Sequence, residues 1–383
     1  MVISLESFAI LLLTPLVYWV LPRQKLRTLY LCLVSLGVVA YWDKWAAVVV
    51  IALTAFSYAI GYLIETRQNR IFYRTIGVTG LLLALVLFKY LGFLGNTVES
   101  VLQLFGNSPH ASWGPIIRPL GISYLVFKLI SYLIDVRKGI IDRGKFFDVL
   151  LYSSLFTIFV AGPIERFARF KPQVESEAQG FKLEYLEAGF QRIVFGLFKK
   201  TVLADWIGYL IIPIWKSGAD VSLLMKTLGL VGFSLQLYLD FAGYSDIAIG
   251  ASKIYGLTIM ENFDWPYLQQ NTAQFWRHWH ISLSMWIRDY IFFPLGRKST
   301  NKIWILFVVP VIAMGLSGLW HEASWRFLIW GVWHGVGLSA YEVWKYNKRN
   351  YRWIVRVSQS KTFTVFGILL TYIFFTIGLI WFG

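Results

Sequence analysis

Long stretches without a charged residue constrain the fold of this chain more than any other feature. Residues 45–64, 303–320 and 362–383 each hold about the 18 to 20 residues that an apolar helix needs to cross a bilayer. Shorter uncharged stretches occupy residues 7–22, 28–42, 75–88 and 149–164. A soluble domain could not bury so many apolar segments. The sequence therefore predicts an all-α, polytopic transmembrane protein with roughly 10 to 12 membrane helices.

The distribution of charge predicts how the chain lies in the membrane. Charged residues make up 15% of the sequence, against about 25% in soluble domains, while the formal net charge is +15. The basic residues lie in alternate loops, after the first, third and fifth predicted spans: Arg23, Lys25 and Arg27; Arg67, Arg70 and Arg74; and Arg137, Lys138, Arg143 and Lys145. By the positive-inside rule these loops face the cytoplasm and the N-terminus is extracytoplasmic, in the inner or plasma membrane. Topology thus explains the excess charge, and nucleic-acid binding is not expected.

We expect one integral membrane domain over residues 1–383. N-terminal spans occupy residues 1–94, a core residues 118–345 and a C-terminal span residues 361–383. Residues 7–22 are expected to be a retained span, because they lack the basic region and small-residue cleavage site of a signal peptide.

Two segments between the spans are polar for different reasons. Residues 95–117 are expected to form an outer loop with a short surface helix at residues 98–104 and with His110 as a solvated side chain. A fifth span at residues 119–135 carries Lys128 and Asp135, which are seven residues apart and so lie near one helical face. These charges must face protein or water, because charges that face lipid are costly.

Ionisable residues recur at membrane depth between residues 162 and 297. They are Asp205, Asp240, Asp246, Arg277, His278, His280, Arg288 and Asp289. Polar backbone at that depth persists only where protein encloses it or where it lines a cavity. We therefore predict an outer ring of spans around a polar core, with re-entrant or tilted helices.

The histidine spacing argues against a metal site. His278 and His280 are two residues apart, and His321 and His334 are thirteen apart, about 220° around a helix, so neither pair shares a helical face. No HExxH motif or cysteine cluster supplements them, and the lone Cys32 lies in an apolar stretch. We predict no bound metal.

His321 has the setting of a general base. It follows 18 uncharged residues and stands between Trp320 and Trp325, whose indoles exclude water. A neutral imidazole in such a place can accept a proton from a substrate. A buried histidine with a structural hydrogen bond is the competing interpretation.

Two further groups of polar residues have alternative interpretations. If residues 275–290 are helical, His280, Ser284 and Arg288 form one stripe that could line a tunnel for an anionic donor, with Arg288 binding its phosphate; a polar seam between helices is the alternative. Asp240 and Asp246 flank a glycine and are interpreted as partners of basic groups rather than as an acid–base pair.

At these residues the chain resembles the membrane-bound O-acyltransferase family, in particular its bacterial alginate O-acetyltransferase branch. Four stretches match in order over about 220 residues: 119–123 with 131–135; 240–250 (DFAGYSDIAIG); 261–267 with 275–294; and 318–335. The resemblance places the family's reactive histidine at His321 and a second histidine at His280. It also implies a funnel or tunnel that an acyl thioester enters from the cytoplasm and a hydroxyl acceptor from outside.

The implied reaction is direct transfer, with His321 taking the proton of the acceptor hydroxyl; a transient acyl-enzyme is the alternative. His280, Trp320 and Asn262 are candidate donors to the acyl oxyanion, and Arg277, Ser284, Arg288 and Asp240 are further candidate substrate-binding residues. No bound cofactor is expected, since acetyl-CoA or an acyl carrier acts as co-substrate.

The sequence supports three hypotheses for the function of the protein. The first is O-acetylation of an exported polysaccharide or cell-surface glycan, with a secreted or membrane-anchored partner acyltransferase. The second is D-alanyl or acyl transfer from a carrier protein to a teichoic-type polymer. Two features leave it open: the chain is nearer in length to that branch of the family, and Glu322 follows His321 where many alginate-type members carry a glycine. The third is a transporter that uses His321, Asp240 and Arg277 as a relay, although no inverted repeat is apparent.

Overall fold

A computed structural model describes residues 5–105, 117–176, 180–216 and 221–382 of the chain. His110 lies outside these residues. The chain divides into two compact units, one formed by Met1–Val194 with Asp246–Met260 and the other by Phe195–Ser245 with Glu261–Gly383.

The described residues are almost entirely helical. In chain order the α-helices are α1 (Leu5–Val20), α2 (Gln24–Trp42), α3 (Lys44–Thr66), α4 (Arg70–Leu85), α5 (Leu91–Leu104), α6 (Ile122–Lys138), α7 (Phe146–Ser154), α8 (Phe167–Glu175), α9 (Leu183–Leu197), α10 (Asp205–Lys216), α11 (Leu223–Ile254), α12 (Thr272–His278), α13 (Ile281–Ile287), α14 (Phe293–Gly296), α15 (Val309–His321), α16 (Trp325–Lys348), α17 (Arg352–Val357) and α18 (Lys361–Gly378). Wider π-helical turns occupy Val86–Tyr90, Phe198–Ala204, Arg288–Phe292 and Trp304–Val308, and 3₁₀ turns occupy Phe156–Ile158, Pro266–Leu268 and Leu379–Trp381.

The apolar helices confirm a multi-pass, all-α membrane protein. Within the described residues, five helical stretches are long and apolar enough to cross a bilayer: Gln24–Trp42, Lys44–Thr66, Arg70–Leu104, Trp304–His321 and Lys361–Trp381. Two shorter apolar helices, Ala9–Val20 and Phe146–Ile158, coincide with two of the shorter predicted stretches.

The helix predicted at residues 98–104 is present but is not separate. It is the end of α5, which continues α4 through a π-helical turn into one stretch of 35 residues, Arg70–Leu104. The hydroxyls of Thr97 and Ser100 donate to the carbonyls four residues earlier, at 2.8 Å each, so these polar residues fit a continuing helix. The outer loop therefore begins later than residue 95.

Helix α6 is an internal helix of the first unit. Thirteen of its residues are buried, including Lys128 and Asp135, which are 1% and 6% exposed. The Nζ of Lys128 donates to the carbonyl of Tyr152 at 3.2 Å. The prediction that these two charges face protein is confirmed, but α6, at 17 residues, is not among the described stretches long and apolar enough to cross a bilayer.

Close backbone contact between α15 and α16 dominates the second unit. A Cβ added to Gly331 would lie 3.0 Å from the Cα of Gly315, and one added to Gly318 would lie 3.1 Å from the Cα of Gly331. Only three residues connect the two helices, and the last of them, Ser324, caps α16 by accepting the N–H of Phe327 at 3.4 Å. Small residues let two membrane helices approach closely. This hairpin fixes the position of His321, the last residue of α15.

Candidate active site

Aromatic rings surround His321 at the end of α15. The centroid of its imidazole lies 4.7 Å from that of Trp320, 5.1 Å from that of Trp330 and 5.4 Å from that of Phe382, in edge-to-face orientations. Phe327 lies 6.2 Å away and nearly parallel. The side chain nevertheless keeps partial exposure, whereas Glu322, next in the chain, is exposed. Apolar rings thus wall the imidazole of a residue that is not fully buried.

Trp320 separates His321 from a second histidine. The ring centroid of His280 lies 5.9 Å from that of Trp320 and 4.7 Å from that of Phe241. His280 is 1% exposed, and its Nε2 has no hydrogen-bond partner among the described residues. Buried polar atoms are rarely left in that state, so His280 has an unused hydrogen-bonding capacity one ring away from His321.

The backbone at His280 is left-handed, with φ of 42°, and His280 precedes α13 as its N-cap. The predicted stripe of His280, Ser284 and Arg288 on one helix is therefore wrong. Ser284 lies within α13, where its hydroxyl donates to the carbonyl of Trp279 at 3.1 Å. Arg288 is exposed and pairs with the adjacent Asp289 at 2.8 Å. A left-handed residue interrupts the helix, so the four-residue spacing does not place the three side chains on one face.

Residues 262–264 hold this left-handed turn in place. They run antiparallel to residues 278–281: the N–H of Ile281 donates to the carbonyl of Asn262 at 2.9 Å, and that of Asp264 to His278 at 3.0 Å. The fully buried side chain of Asn262 accepts the Ser282 hydroxyl at 2.6 Å and donates to Ser245 at 3.2 Å. The side-chain amide predicted as an oxyanion donor is therefore already engaged in fixing the backbone beside His280.

Asp240 and Asp246 pair with basic side chains, as predicted. Asp240 pairs with Lys200, and Asp246 accepts the Nε and Nη2 of Arg192 at 3.0 and 2.9 Å. The partner of Asp240 is thus a lysine, and that of Asp246 is an arginine. Gly243 between them does not break α11; it allows close packing, since an added Cβ would lie 2.6 Å from the carbonyl oxygen of Gly196.

Arg277, the remaining predicted binding residue, lies on the last turn of α12 and is exposed.

A third histidine belongs to the same group of rings and was not predicted as a site residue. His334 is 1% exposed, and Trp330 lies between it and His321, with ring centroids 4.8 and 5.1 Å away. Within the part of the chain that the structure describes, its Nε2 and the indole nitrogens of Trp276 and Trp330 have no hydrogen-bond partner. The sequence pattern that could have indicated His334 is the four-residue spacing of Gly331 and Gly335. This spacing predicts that this part of α16 packs against α15.

In the part of the chain that the structure describes, no three His, Cys, Asp or Glu side chains come together as a metal site. Tryptophan rings separate the three histidines: Trp320 lies between His321 and His280, and Trp330 lies between His321 and His334.

Comparison with known families identifies the chain's relationship. The model of the MBOAT, membrane-bound O-acyltransferase family, matches residues 8–381. The chain belongs to this family. The resemblance predicted from the four sequence stretches is therefore confirmed, and His321 lies within the residues that the family model matches.

Individual relatives of this family member differ in the acceptors that their names give. The chain is 34% identical to a probable alginate O-acetylase of Azotobacter vinelandii over 84% of its own length and 64% of the relative's. It is 31% identical to a teichoic acid D-alanyltransferase of Bacillus subtilis over 75% of its own length and 76% of that protein. It is 27% identical to a peptidoglycan O-acetyltransferase of Helicobacter pylori over 91% of its own length and 70% of that protein. The chain thus spans about two thirds of the length of its alginate relatives.

Proposed function

We propose that the protein transfers an acyl group, chiefly acetyl, from a cytoplasmic thioester to a hydroxyl of an exported polysaccharide or cell-surface glycan, directly or through an extracytoplasmic partner. Family membership supports the acyl-transfer chemistry. The observation that carries the assignment of His321 is its partly exposed imidazole, walled by Trp320, Trp330 and Phe382.

In the proposed reaction the imidazole of His321 removes the proton of the acceptor hydroxyl as its oxygen attacks the thioester carbonyl. The carbon–sulfur bond then breaks, and the leaving thiolate takes the proton from the imidazolium. The products are the ester and a free thiol, and His321 returns to its neutral form. The aromatic walls exclude water, which would otherwise compete with the acceptor for the thioester.

The second histidine is proposed to stabilise the oxyanion that forms on the acyl carbonyl. Of the two candidates Asn262 and His280, Asn262 is engaged with Ser245 and Ser282, whereas the Nε2 of His280 has no partner within the described ranges. An N–H at that nitrogen could donate to the oxyanion, which carries its charge only during the reaction.

Replacing His280 with glycine is expected to lower kcat about 10²-fold while KM changes little, because one transition-state donor is lost. Glycine tolerates the left-handed backbone, so the turn before α13 should survive. His280→Asn, which keeps a donor and also tolerates this conformation, should recover part of the rate. Equal loss in both variants, or a change in KM alone, would argue for a purely structural histidine.

The acceptor is tested in membranes from cells with and without the gene. Radiolabelled acetyl-CoA should label an envelope glycan only when the protein is present, and mass analysis of the glycans should show the matching ester. Uptake of label without any acylated product would instead favour the transporter hypothesis.

We expect the basic loops, such as residues 67–74, to lie on the cytoplasmic side. Cysteine-accessibility labelling can check this orientation.

Transfer of D-alanine from a carrier protein is the second candidate function. The match with the Bacillus subtilis teichoic acid D-alanyltransferase covers about three quarters of both chains. It covers a larger share of that relative's length than the match with the alginate relative covers of the alginate relative's length. Supplying a D-alanylated carrier protein in place of acetyl-CoA distinguishes the two, because only the thioester that the protein uses should yield a labelled polymer.

A further inference from the structure

A cleft of about 800 Å³ opens between α16 and α18 in the second unit. Its walls are mainly apolar and aromatic, with Trp333, Ala340 and Trp344 on α16 and Phe363, Leu370 and Phe374 on α18. His321 is not among the residues that line it. The cleft is therefore separate from the site proposed for acyl transfer.

The cleft is open on a side that faces lipid. Val336, Phe366 and Leu370 line it and are 41%, 58% and 55% exposed. They lie on helices packed side by side, and α18 belongs to one of the five stretches that can cross a bilayer. Apolar side chains exposed in this way on a membrane helix contact hydrocarbon chains, so lipid has direct access to the cleft.

One end of the cleft is cationic. The Nζ of Lys348 lies 3.5 Å from the hydroxyl of Ser358 and 4.3 Å from the ring centroid of Trp344, which stacks on Phe363. Residues 345–361 contain six basic and no acidic residues: Lys345, Lys348, Arg349, Arg352, Arg356 and Lys361. A cluster of this kind next to a membrane helix attracts anionic lipid headgroups.

Exposed aromatic residues mark the same end as the membrane surface. Tyr351 and Trp353 are 52% and 67% exposed within the basic segment. Tyrosine and tryptophan are enriched where a membrane helix meets the headgroups. Lys348 would then lie at headgroup level, with the rest of the cleft below it.

The dimensions of the cleft suit an acyl chain. Trp333 and Lys348 are fifteen residues apart on α16, so they are separated by about 22 Å along the helix. Half of the hydrocarbon core is about 15 Å thick, which is less than this separation. A lipid acyl chain that enters at headgroup level can therefore run along α16 through the whole half of the hydrocarbon core. A few polar groups, such as Gln270 and Gln274, interrupt an otherwise apolar lining, as in sites for amphipathic ligands.

We propose that this cleft binds one anionic phospholipid, with its phosphate at Lys348 and Ser358 and an acyl chain between α16 and α18. Charge complementarity selects this occupant over a zwitterionic lipid, and the lateral opening selects a lipid over a water-soluble ligand. The proposal does not depend on the acyl-transfer function, because binding alone is measured.

Native mass spectrometry of the full chain can test this proposal. The protein is released from micelles that contain equal amounts of phosphatidylglycerol and phosphatidylcholine with identical acyl chains. The wild type should retain one phosphatidylglycerol with a preference of about fivefold or more over phosphatidylcholine. Lys348→Gln should remove most of this preference, whereas Lys361→Gln, in the same segment but outside the cleft, should keep it.

A second variant tests the cleft itself. Ala340 is exposed and lines the cleft, so Ala340→Trp should fill it without disturbing the core and should lower retention of either lipid at least about fivefold. Ala52→Trp, the same change at an exposed position of α3, should leave retention unchanged. Equal retention of both lipids by the wild type, equal effects of the two lysine variants, or full retention by Ala340→Trp would each overturn the proposal.

Discussion

Replacing His321 with alanine should lower the rate of acyl transfer by about 10²- to 10⁴-fold, the usual contribution of a general base. The acceptor hydroxyl then loses the group that takes its proton, and no other partly exposed imidazole lies within the same aromatic walls in the described part of the chain. His321→Gln keeps most of the side-chain volume without the base and should lose as much activity. The measurement is the initial rate of labelled acetyl transfer in membrane vesicles, normalised to the amount of inserted protein.

His278→Ala is a control for the loss of an imidazole from the same unit. His278 hydrogen-bonds the carbonyl of Gln274 at 2.8 Å and lies 3.6 Å from Asp264, so its interactions are local. Its rate should stay within about threefold of the wild type. A correctly inserted His321→Ala protein that transfers acetyl at the wild-type rate would refute the role of His321, and equal losses in both variants would show that the effect is not specific.

Replacing Gly331 with alanine should destabilise the protein by about 1 to 3 kcal/mol, and Gly331→Leu by more. The added Cβ would meet the carbonyl oxygen of Met314 and lie 2.9 Å from its carbonyl carbon. Both atoms belong to the backbone of α15, so no side-chain rotation can relieve the clash and the two helices must move apart. Because α15 ends at His321, transfer activity should fall together with stability.

Gly37→Ala is the matched control, since a Cβ there meets nothing within 4 Å and the residue also lies inside a helix. That change should be neutral or stabilise by about 0.5 to 1 kcal/mol, because alanine favours the helix. Thermal unfolding in detergent, followed by tryptophan fluorescence, compares the two variants. A Gly331→Ala protein as stable as Gly37→Ala would show that the α15–α16 contact is less tight than the structure indicates.

The features that sequence predicted well depend on short-range properties of the chain. An apolar stretch of membrane length is a local property, so the spans near residues 45–64, 303–320 and 362–383 were found with nearly correct boundaries. The position of His321 at the end of such a stretch followed in the same way. The family resemblance was also readable, because its motifs are contiguous.

The features that sequence did not predict depend on contacts between distant residues. The left-handed turn at His280 is held by Asn262, eighteen positions earlier, and helical spacing alone could not indicate it. Phe382 completes the wall of His321 from 61 positions away. Arg288 pairs with its own neighbour, Asp289, whereas the sequence suggested a donor phosphate or a polar seam between helices. The roles of these residues therefore depend on tertiary structure.

The wide helical turns have a consequence for aligning this chain with its relatives. A π-helical turn accommodates one more residue than an α-helical turn, as at Trp304–Val308, directly before α15. A one-residue gap placed within that turn leaves the faces of the flanking helices in register. The same gap placed inside α15 would rotate every later position by about 100° and would pair His321 with a neighbour of its true equivalent. Gaps in alignments of this region belong in the wide turns.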